Sequence, residues 1–299
     1  MTHSPLSVDV ASPDAVHARP RQPPSLGLWD VEDPYVARVA VTLLLIYCAV
    51  LGLAIGSFLN VVIYRVPRHL SVVRPKSACP NCSQPIASRD NIPVLSWLAL
   101  RAKCRNCRAP ISPRYPLVEL TTGVLFALTA WRIGPHVDLI AFLLVDAALL
   151  ALALIDLEML LLPRAIVYPS LIAVVAVLIV AATLDDQWHR LFVAAMCSMA
   201  WFAVFFIMNL VSPRSLGFGD VRLSLLLGLA LGWLGVGEVV LGFFLSNLIG
   251  AVVGVTLIAT KRMRRDQPIP YGVFLAIGTI VTVLVGPMLL SHWHHWPTT

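Results

Sequence analysis

The sequence predicts an all-α polytopic membrane protein, with about eight transmembrane helices and one small cysteine-bearing insert between the first two. Three observations predict it. Of the 299 residues, 58% are hydrophobic and only 13% are charged, whereas a soluble domain carries about 25% charged residues. Runs such as LLLIYCAVLGLAIG (43–56) and LIAVVAVLIVAATL (171–184) hold no ionisable side chain apart from Tyr47 and Cys48, and about 20 apolar residues span a bilayer core. These runs are continuous rather than alternating, which excludes a β-barrel.

Residues 1–38 are polar and rich in proline, and they lack the apolar residues needed to bury a core. They are expected to form a disordered extension. They do not read as a secretory signal, because they lack a short basic start and the apolar run behind them is too long. The first span is expected over 39–64, followed by a polar insert over 65–116. Seven further spans fall at about 117–134, 139–161, 165–184, 191–211, 222–236, 238–260 and 270–291, making 117–291 one membrane unit with a short tail at 292–299. The sixth span is the shortest and is rich in glycine. No internal repeat is read in the chain.

Orientation follows from the cations. Ten of the 22 Lys and Arg lie in the 65–116 insert, and Arg164, Arg214, Arg222 and the cluster Lys261, Arg262, Arg264 and Arg265 fall on the same side of an eight-span arrangement. Five remain for the other side: Arg19, Arg21, Arg38, Arg132 and Arg190. Basic loops stay in the cytoplasm, so the insert is expected inside and both termini outside. The formal net charge of +6 is thereby explained by topology, and no nucleic-acid partner is expected.

Within the insert stand Cys79-Pro-Asn-Cys82 and Cys104-Arg-Asn-Cys107, two C-x2-C pairs separated by 21 residues. Each pair can aim two sulfurs at one ion from one tight turn, and two such turns complete a tetrahedral four-cysteine zinc site. The competing readings are disulfides and a redox CxxC. A reducing cytoplasm disfavours the first, and the insert is too small for the βαβ context of the second. A structural Zn2+ held by Cys79, Cys82, Cys104 and Cys107 is therefore expected. Cys48 and Cys197 lie within spans and read as packing residues.

Ionisable residues inside spans are costly and mark function. Asp156, in ALIDLEMLLLPRAI, ends the third span, and Asp220, in SLGFGDVRLSLLLG, opens the sixth. The topology puts both at the same membrane face. Two close carboxyls share one proton, so one acts as base towards water while the other protonates a departing amine. That is the chemistry of peptide hydrolysis without a covalent intermediate. Gly217 and Gly219 suggest backbone leaving regular helix beside a wet cavity. Asp146 competes with Asp156, but lies about 15 Å deeper along the same helix and suits an internal hydrogen bond or a proton path. Glu158 is expected to point elsewhere, since residues two apart do not share a helix face.

Taken together, GSFLNVVIYRVP (56–67), CPNC, RDNIPVLSWLALRAKCRNC (89–107), ISPRYPLVE (111–119), IDLEMLLLP (155–163) and GFGDVRLSLLLGLALGW (217–233) resemble the type IV prepilin peptidases, membrane aspartic proteases of the Gly-x-Gly-Asp kind. The resemblance spans about residues 50–290. It implies Asp156 and Asp220 as the catalytic pair, and removal of the basic leader of prepilins or pseudopilins at the cytoplasmic face of the bacterial inner membrane. It also implies service to type IV pili or type II secretion, and S-adenosylmethionine-dependent methylation of the new amino terminus. Glu158, Arg222 and Ala102 depart from the usual family residues, outside the two catalytic positions. No Rossmann-type glycine fingerprint is present. Gly56 to Asn60 and Glu119 match the family near its methyl-transfer function, although helix packing explains Gly56 and Ser57 equally well. The alternatives are a peptidase whose four-cysteine insert is only structural, a proton-coupled transporter, and a non-enzymatic assembly factor.

Overall fold

The structure, a computed structural model, describes residues 34–212, 216–261 and 269–291. The described residues are helical, with two isolated β-bridges and no named strand. The helices are α1 (Pro34–Arg65), α2 (Leu95–Ala99), α3 (Arg114–Ile133), α4 (Asp138–Met159), α5 (Arg164–Leu184), α6 (Trp188–Val211), α7 (Phe218–Leu234), α8 (Val236–Ala259) and α9 (Tyr271–Ser291). Every expected span coincides with one long helix. Five of these, α1, α4, α5, α6 and α8, are long and apolar enough to cross a membrane, so the chain is a multi-pass membrane protein.

Among the boundaries that differ from expectation, two stand out. Helix α1 starts at Pro34, so the last residues of the expected disordered extension are helical. Proline is pre-set for the first turn of a helix, where its missing N–H costs nothing. The rest of the extension, the tail at 292–299, and Arg214, Arg262, Arg264 and Arg265 lie outside the described residues. The sixth span begins at Phe218 rather than 222. Of the GFGD stretch, Gly217 is extended backbone ahead of the helix, and Phe218, Gly219 and Asp220 form its first turn.

Helix α7 is the hub of the bundle. Twelve of its 17 residues are buried, among them Leu223, Leu226, Leu227 and Trp233. It is apolar on all sides because neighbouring helices cover it. It lies close against α6: a Cβ on Gly228 would sit 2.7 Å from Ser198 Cα, and one on Gly232 would sit 2.7 Å from Cys197 Cβ. Cys197 and Cys48 are both buried packing residues, as expected. Helices α7 and α8 are joined by Gly235 alone, at φ 155°. A side chain strains that conformation, and glycine turns the chain in one residue.

Helices α1 and α3 approach closely in the same way. A Cβ on Gly52 would lie 2.7 Å from the Thr122 carbonyl oxygen, and one on Gly56 would lie 2.7 Å from Glu119 Cα. Small residues let membrane helices approach through van der Waals packing where no hydrophobic effect drives them together. The role of Gly56 here is helix packing.

Candidate active site

Asp156 occupies the last turn of α4, just before the helix stops at Leu160 in a left-handed conformation (φ 51°), where the Leu160 N–H donates to the Asp156 carbonyl oxygen at 2.9 Å. Asp220 is the third residue of α7, behind the extended cap residue Gly217. From that position its carboxyl reaches back to the Gly217 amide, as an acid three residues into a helix commonly does. Both side chains are buried, at 5% and 7% exposure. The fold brings them near each other, because Leu162 packs both against Gly219, the neighbour of Asp220, and against Gly272, which faces the Asp156 carboxyl.

The first turn of α9 forms the third side of the site. The backbone amides of Gly272 and Val273 face the Asp156 carboxyl. The opening N–H groups of a helix have no partner within the helix and carry its positive end. Two helix amino-termini, those of α7 and α9, thus converge on the two carboxyls. Between these helix starts sits Leu162, buried in the α4–α5 link. A Cβ on Gly219 would come 2.9 Å from Leu162 Cβ. One on Gly272 would come 2.9 Å from Asp156 Oδ2 and 3.0 Å from Leu162 Cδ2. Gly219 and Gly272 are therefore demanded by close approach. Gly217 is freer: its Cβ would meet Asp220 Oδ2 at 3.3 Å, with φ at −69°.

Tyr271 closes the rim. Its hydroxyl donates to Asn247 Oδ1 on α8 at 2.9 Å, and its ring lies against Phe205. Among the described residues, Asp156 Oδ2 and Asp220 Oδ1 have no hydrogen-bond partner although both are buried. Buried carboxylate oxygens are normally satisfied, so these two are poised for a proton, a water or a substrate group. Sequence reasoning missed Leu162, Asn247, Tyr271, Gly272 and Val273. The signal lay in IPYGVFLAIG (269–278), where a proline and a glycine bracket a helix start, but no ionisable carboxyl drew attention to it.

The other acidic candidates fall elsewhere. Asp146 is buried in mid-bundle and accepts a 2.6 Å hydrogen bond from Thr129 Oγ1, tying α4 to α3. Glu158 forms a surface ion pair with Arg114. Glu119 is buried and accepts from the Val94 N–H at 2.7 Å. Val94 holds φ 58°, an outlier for a β-branched residue, and the Glu119 bond secures that strained link between α3 and the insert. Asn60 donates to the carbonyls of Gly56 and Tyr115, each at 3.2 Å.

The four cysteines of the insert meet. Their sulfurs all lie within 4.8 Å of one another, with Cys79 and Cys107 at 3.7 Å. A tetrahedron with Zn–S bonds of about 2.3 Å places its sulfurs about 3.8 Å apart, so the donor set fits such an ion. The insert also contains a short repeat that the sequence reading passes over. CPNCSQPI (79–86) and CRNCRAPI (104–111) fold alike: Cys79 N–H donates to the Gln84 carbonyl and Cys104 N–H to that of Ala109. Ser83 and Arg108 both take positive φ, and Ala78–Pro85 and Lys103–Pro110 form matching bridges. The Ala109 amide and then the Asn81 side chain lower the Cys107 thiol to about 6. The amides of Cys82 and Asn81 lower Cys79. The Gln84 amide favours the Cys82 thiolate, but burial and the thiols of Cys107, Cys79 and Cys104 push Cys82 up to about 11. Thiols crowded this closely cannot all ionise unaided, and a divalent cation lets them. Arg105 braces the second knuckle with two bonds to Asp90, at 2.8 and 2.6 Å, and Trp97 Nε1 donates to the Ile111 carbonyl.

A helical multi-pass membrane protein with two buried carboxyls near one another at its helix ends defines the class. Comparison with known proteins narrows it. The bacterial peptidase A24 N-terminal domain matches residues 50–133, and the type IV leader peptidase family matches residues 143–255. The chain is 35% identical over 277 residues to the prepilin leader peptidase/N-methyltransferase of Stutzerimonas stutzeri, covering 83% of this chain and 93% of that protein. Its likeness to the Pseudomonas aeruginosa protein of the same name is 36% over 272 residues, covering 82% and 91%. To that of Myxococcus xanthus it is 43% over 220 residues, covering 73% and 64%. No solved structure matches. The chain belongs to the type IV leader peptidase family.

Proposed function

We propose that this chain is a membrane aspartic endopeptidase that removes the leader of prepilins or pseudopilins, with Asp156 and Asp220 as its catalytic pair, and then N-methylates the new amino terminus. The observation that carries the first part is the approach of two buried carboxyls around Leu162, each with one oxygen that has no hydrogen-bond partner among the described residues. One carboxylate takes a proton from water as the water attacks the scissile carbonyl. The other, protonated, gives its proton to the departing amine. The α9 amides beside Asp156 hold that carboxyl in place without supplying a proton. Leu162 and the packed first turns of α7 and α9 keep bulk water from the pair.

The site is read at the cytoplasmic face of a bacterial inner membrane, in an eight-span arrangement with the insert inside. The support is the Lys and Arg bias, together with the five helices long and apolar enough to cross a membrane. The insert is read as a structural zinc unit. Cys79, Cys82, Cys104 and Cys107 would hold the ion, which would cross-link the two knuckles and leave no open position for chemistry.

Methyl transfer is carried by the relatives' activity. No step is assigned to the donor.

The test is a cleavage assay on a prepilin with wild type, Asp156→Asn and Asp220→Asn in membranes. Each variant is expected to lose cleavage while remaining inserted. Normal trimming by either variant would remove the pair from the mechanism. A labelled methyl donor in the same assay separates a two-activity enzyme from a peptidase alone.

A further inference from the structure

We infer that the short helix α2 of the insert is a phospholipid-binding surface lying in the membrane boundary beside α3, with its outer side chains among acyl chains and its flanking arginines on the phosphates of anionic headgroups.

The depth of α2 follows from what holds it. The Val94 N–H at its start donates to Glu119 Oε2 at 2.7 Å. Glu119 belongs to α3 and lies level with Gly56 of α1, where an added Cβ would stand 2.7 Å from Glu119 Cα. One turn nearer the insert, Asn60 of α1 donates to the Tyr115 carbonyl at 3.2 Å. Helix α1 is long and apolar enough to cross a membrane. From Arg38 to Arg65 it measures about 40 Å, which matches a bilayer with its headgroups. Gly56 lies about 14 Å along the helix from Arg65, so Glu119 stands within the bilayer. Side chains lean towards the start of their own helix. The Glu119 carboxylate therefore points back to the surface and holds α2 near the headgroup level.

The two sides of α2 differ. Val94 and Trp97, three apart on one face, are tied to the protein, the first through Glu119 and the second through its Nε1 to the Ile111 carbonyl at 3.1 Å. Ser96 Oγ accepts from the Ile92 N–H at 3.1 Å and donates to the Arg89 carbonyl at 3.0 Å, so the turn satisfies its own polar groups. The outer face carries Ile92, Leu95 and Leu98, at 50%, 64% and 57% exposure. Leu117 and Leu120 of α3, beside Glu119, are exposed too, so lipid reaches this level. Arg89 precedes α2 and Arg101 follows it, both exposed and without a carboxylate partner among the described residues. Asp90, the one carboxylate in 65–116, is taken by two bonds from Arg105. An apolar face framed by cations lies in an interface. Lipid phosphates supply the counter-charge that this segment lacks, and guanidinium groups bind them well.

The experiment uses the full-length protein in nanodiscs that mix phosphatidylglycerol with phosphatidylcholine. The photoreactive residue p-benzoylphenylalanine is placed at Leu95, at Leu98, or at Val50, which is exposed on α1. After illumination, adducts are identified by mass spectrometry. Lipid adducts are expected at all three positions. At Leu95 and Leu98 the share of phosphatidylglycerol should exceed that at Val50 at least threefold, and Arg89→Gln with Arg101→Gln should remove the excess. Lipid adducts at Val50 but at neither α2 position would overturn the inference, leaving α2 to water. Cross-links from α2 to protein would overturn it too, since a second copy or another segment would then cover the face. An equal phosphatidylglycerol share at all positions, or an excess that survives the double substitution, would refute the pairing with anionic headgroups. Two α2 positions keep the test decisive if one replacement prevents insertion.

Discussion

Replacing Gly272 with alanine should slow cleavage without removing a titratable group. The added Cβ would stand 2.9 Å from Asp156 Oδ2 and 3.0 to 3.1 Å from the Leu162 methyl carbons. Ordinary contact begins near 3.4 Å, so the carboxylate or the start of α9 must retreat by about 0.5 Å, the tolerance within which a catalytic group must be held. Leu162 is buried against the α7 start and cannot give way freely, because Gly219 already packs on its Cβ. Overpacking of this size costs about 1–3 kcal/mol, and misplacement of a reacting group by a fraction of an ångström to an ångström costs roughly ten- to a hundredfold in rate. The expected result is a ten- to hundredfold fall in kcat on a prepilin, measured under single turnover, with normal abundance in the membrane. Gly217→Ala is the internal contrast. Its Cβ would meet Asp220 Oδ2 at 3.3 Å and its backbone is one that alanine adopts, so the loss should stay within a few fold. Wild-type rates for Gly272→Ala, or a larger loss at Gly217 than at Gly272, would refute the reasoning.

Other outcomes follow from the same geometry. Cys104→Ser, or treatment with a strong chelator, should raise hydrogen exchange across 78–111 and impair methylation more than cleavage; an unchanged exchange pattern would remove the metal from the insert. Glu119→Ala leaves the Val94 N–H without its acceptor, at a cost of about 1–3 kcal/mol, and should loosen 92–99 in hydrogen exchange while α3 stays protected. Glu158→Gln breaks only a surface ion pair with Arg114, a contact worth under about 1 kcal/mol, and cleavage should stay at the wild-type rate. Asp146→Ala, which removes the acceptor of the Thr129 hydroxyl, should lower membrane-extracted stability and leave the pH dependence of cleavage unchanged.

Much of this protein is legible before folding. Continuous apolar runs reveal long helices, because a bilayer demands length and apolarity from each span separately. The spacing of Cys79, Cys82, Cys104 and Cys107 reveals a four-sulfur cluster, because each pair acts through one local turn. Asp156 and Asp220 stand out as carboxyls at helix ends on one predicted face. The glycines of GFGD are partly legible: Gly217 stands in extended backbone just before α7, whereas Gly219 lies within a regular first turn and its close partner, Leu162, is fixed only by packing. On α9 the chain is silent, since nothing local in IPYGVFLAIG shows that its amides face Asp156 or that its Tyr271 hydroxyl meets Asn247.

Helical membrane architecture, the cysteine cluster and the two carboxyls at helix ends could thus be read from the chain one segment at a time. They rest on composition, periodicity and short spacing, which each segment carries alone. The convergence of the starts of α7 and α9 with the end of α4 around Leu162 could not be read that way. It is a property of how helices distant in the chain pack together, and packing depends on shapes that become defined only when all the helices are in place.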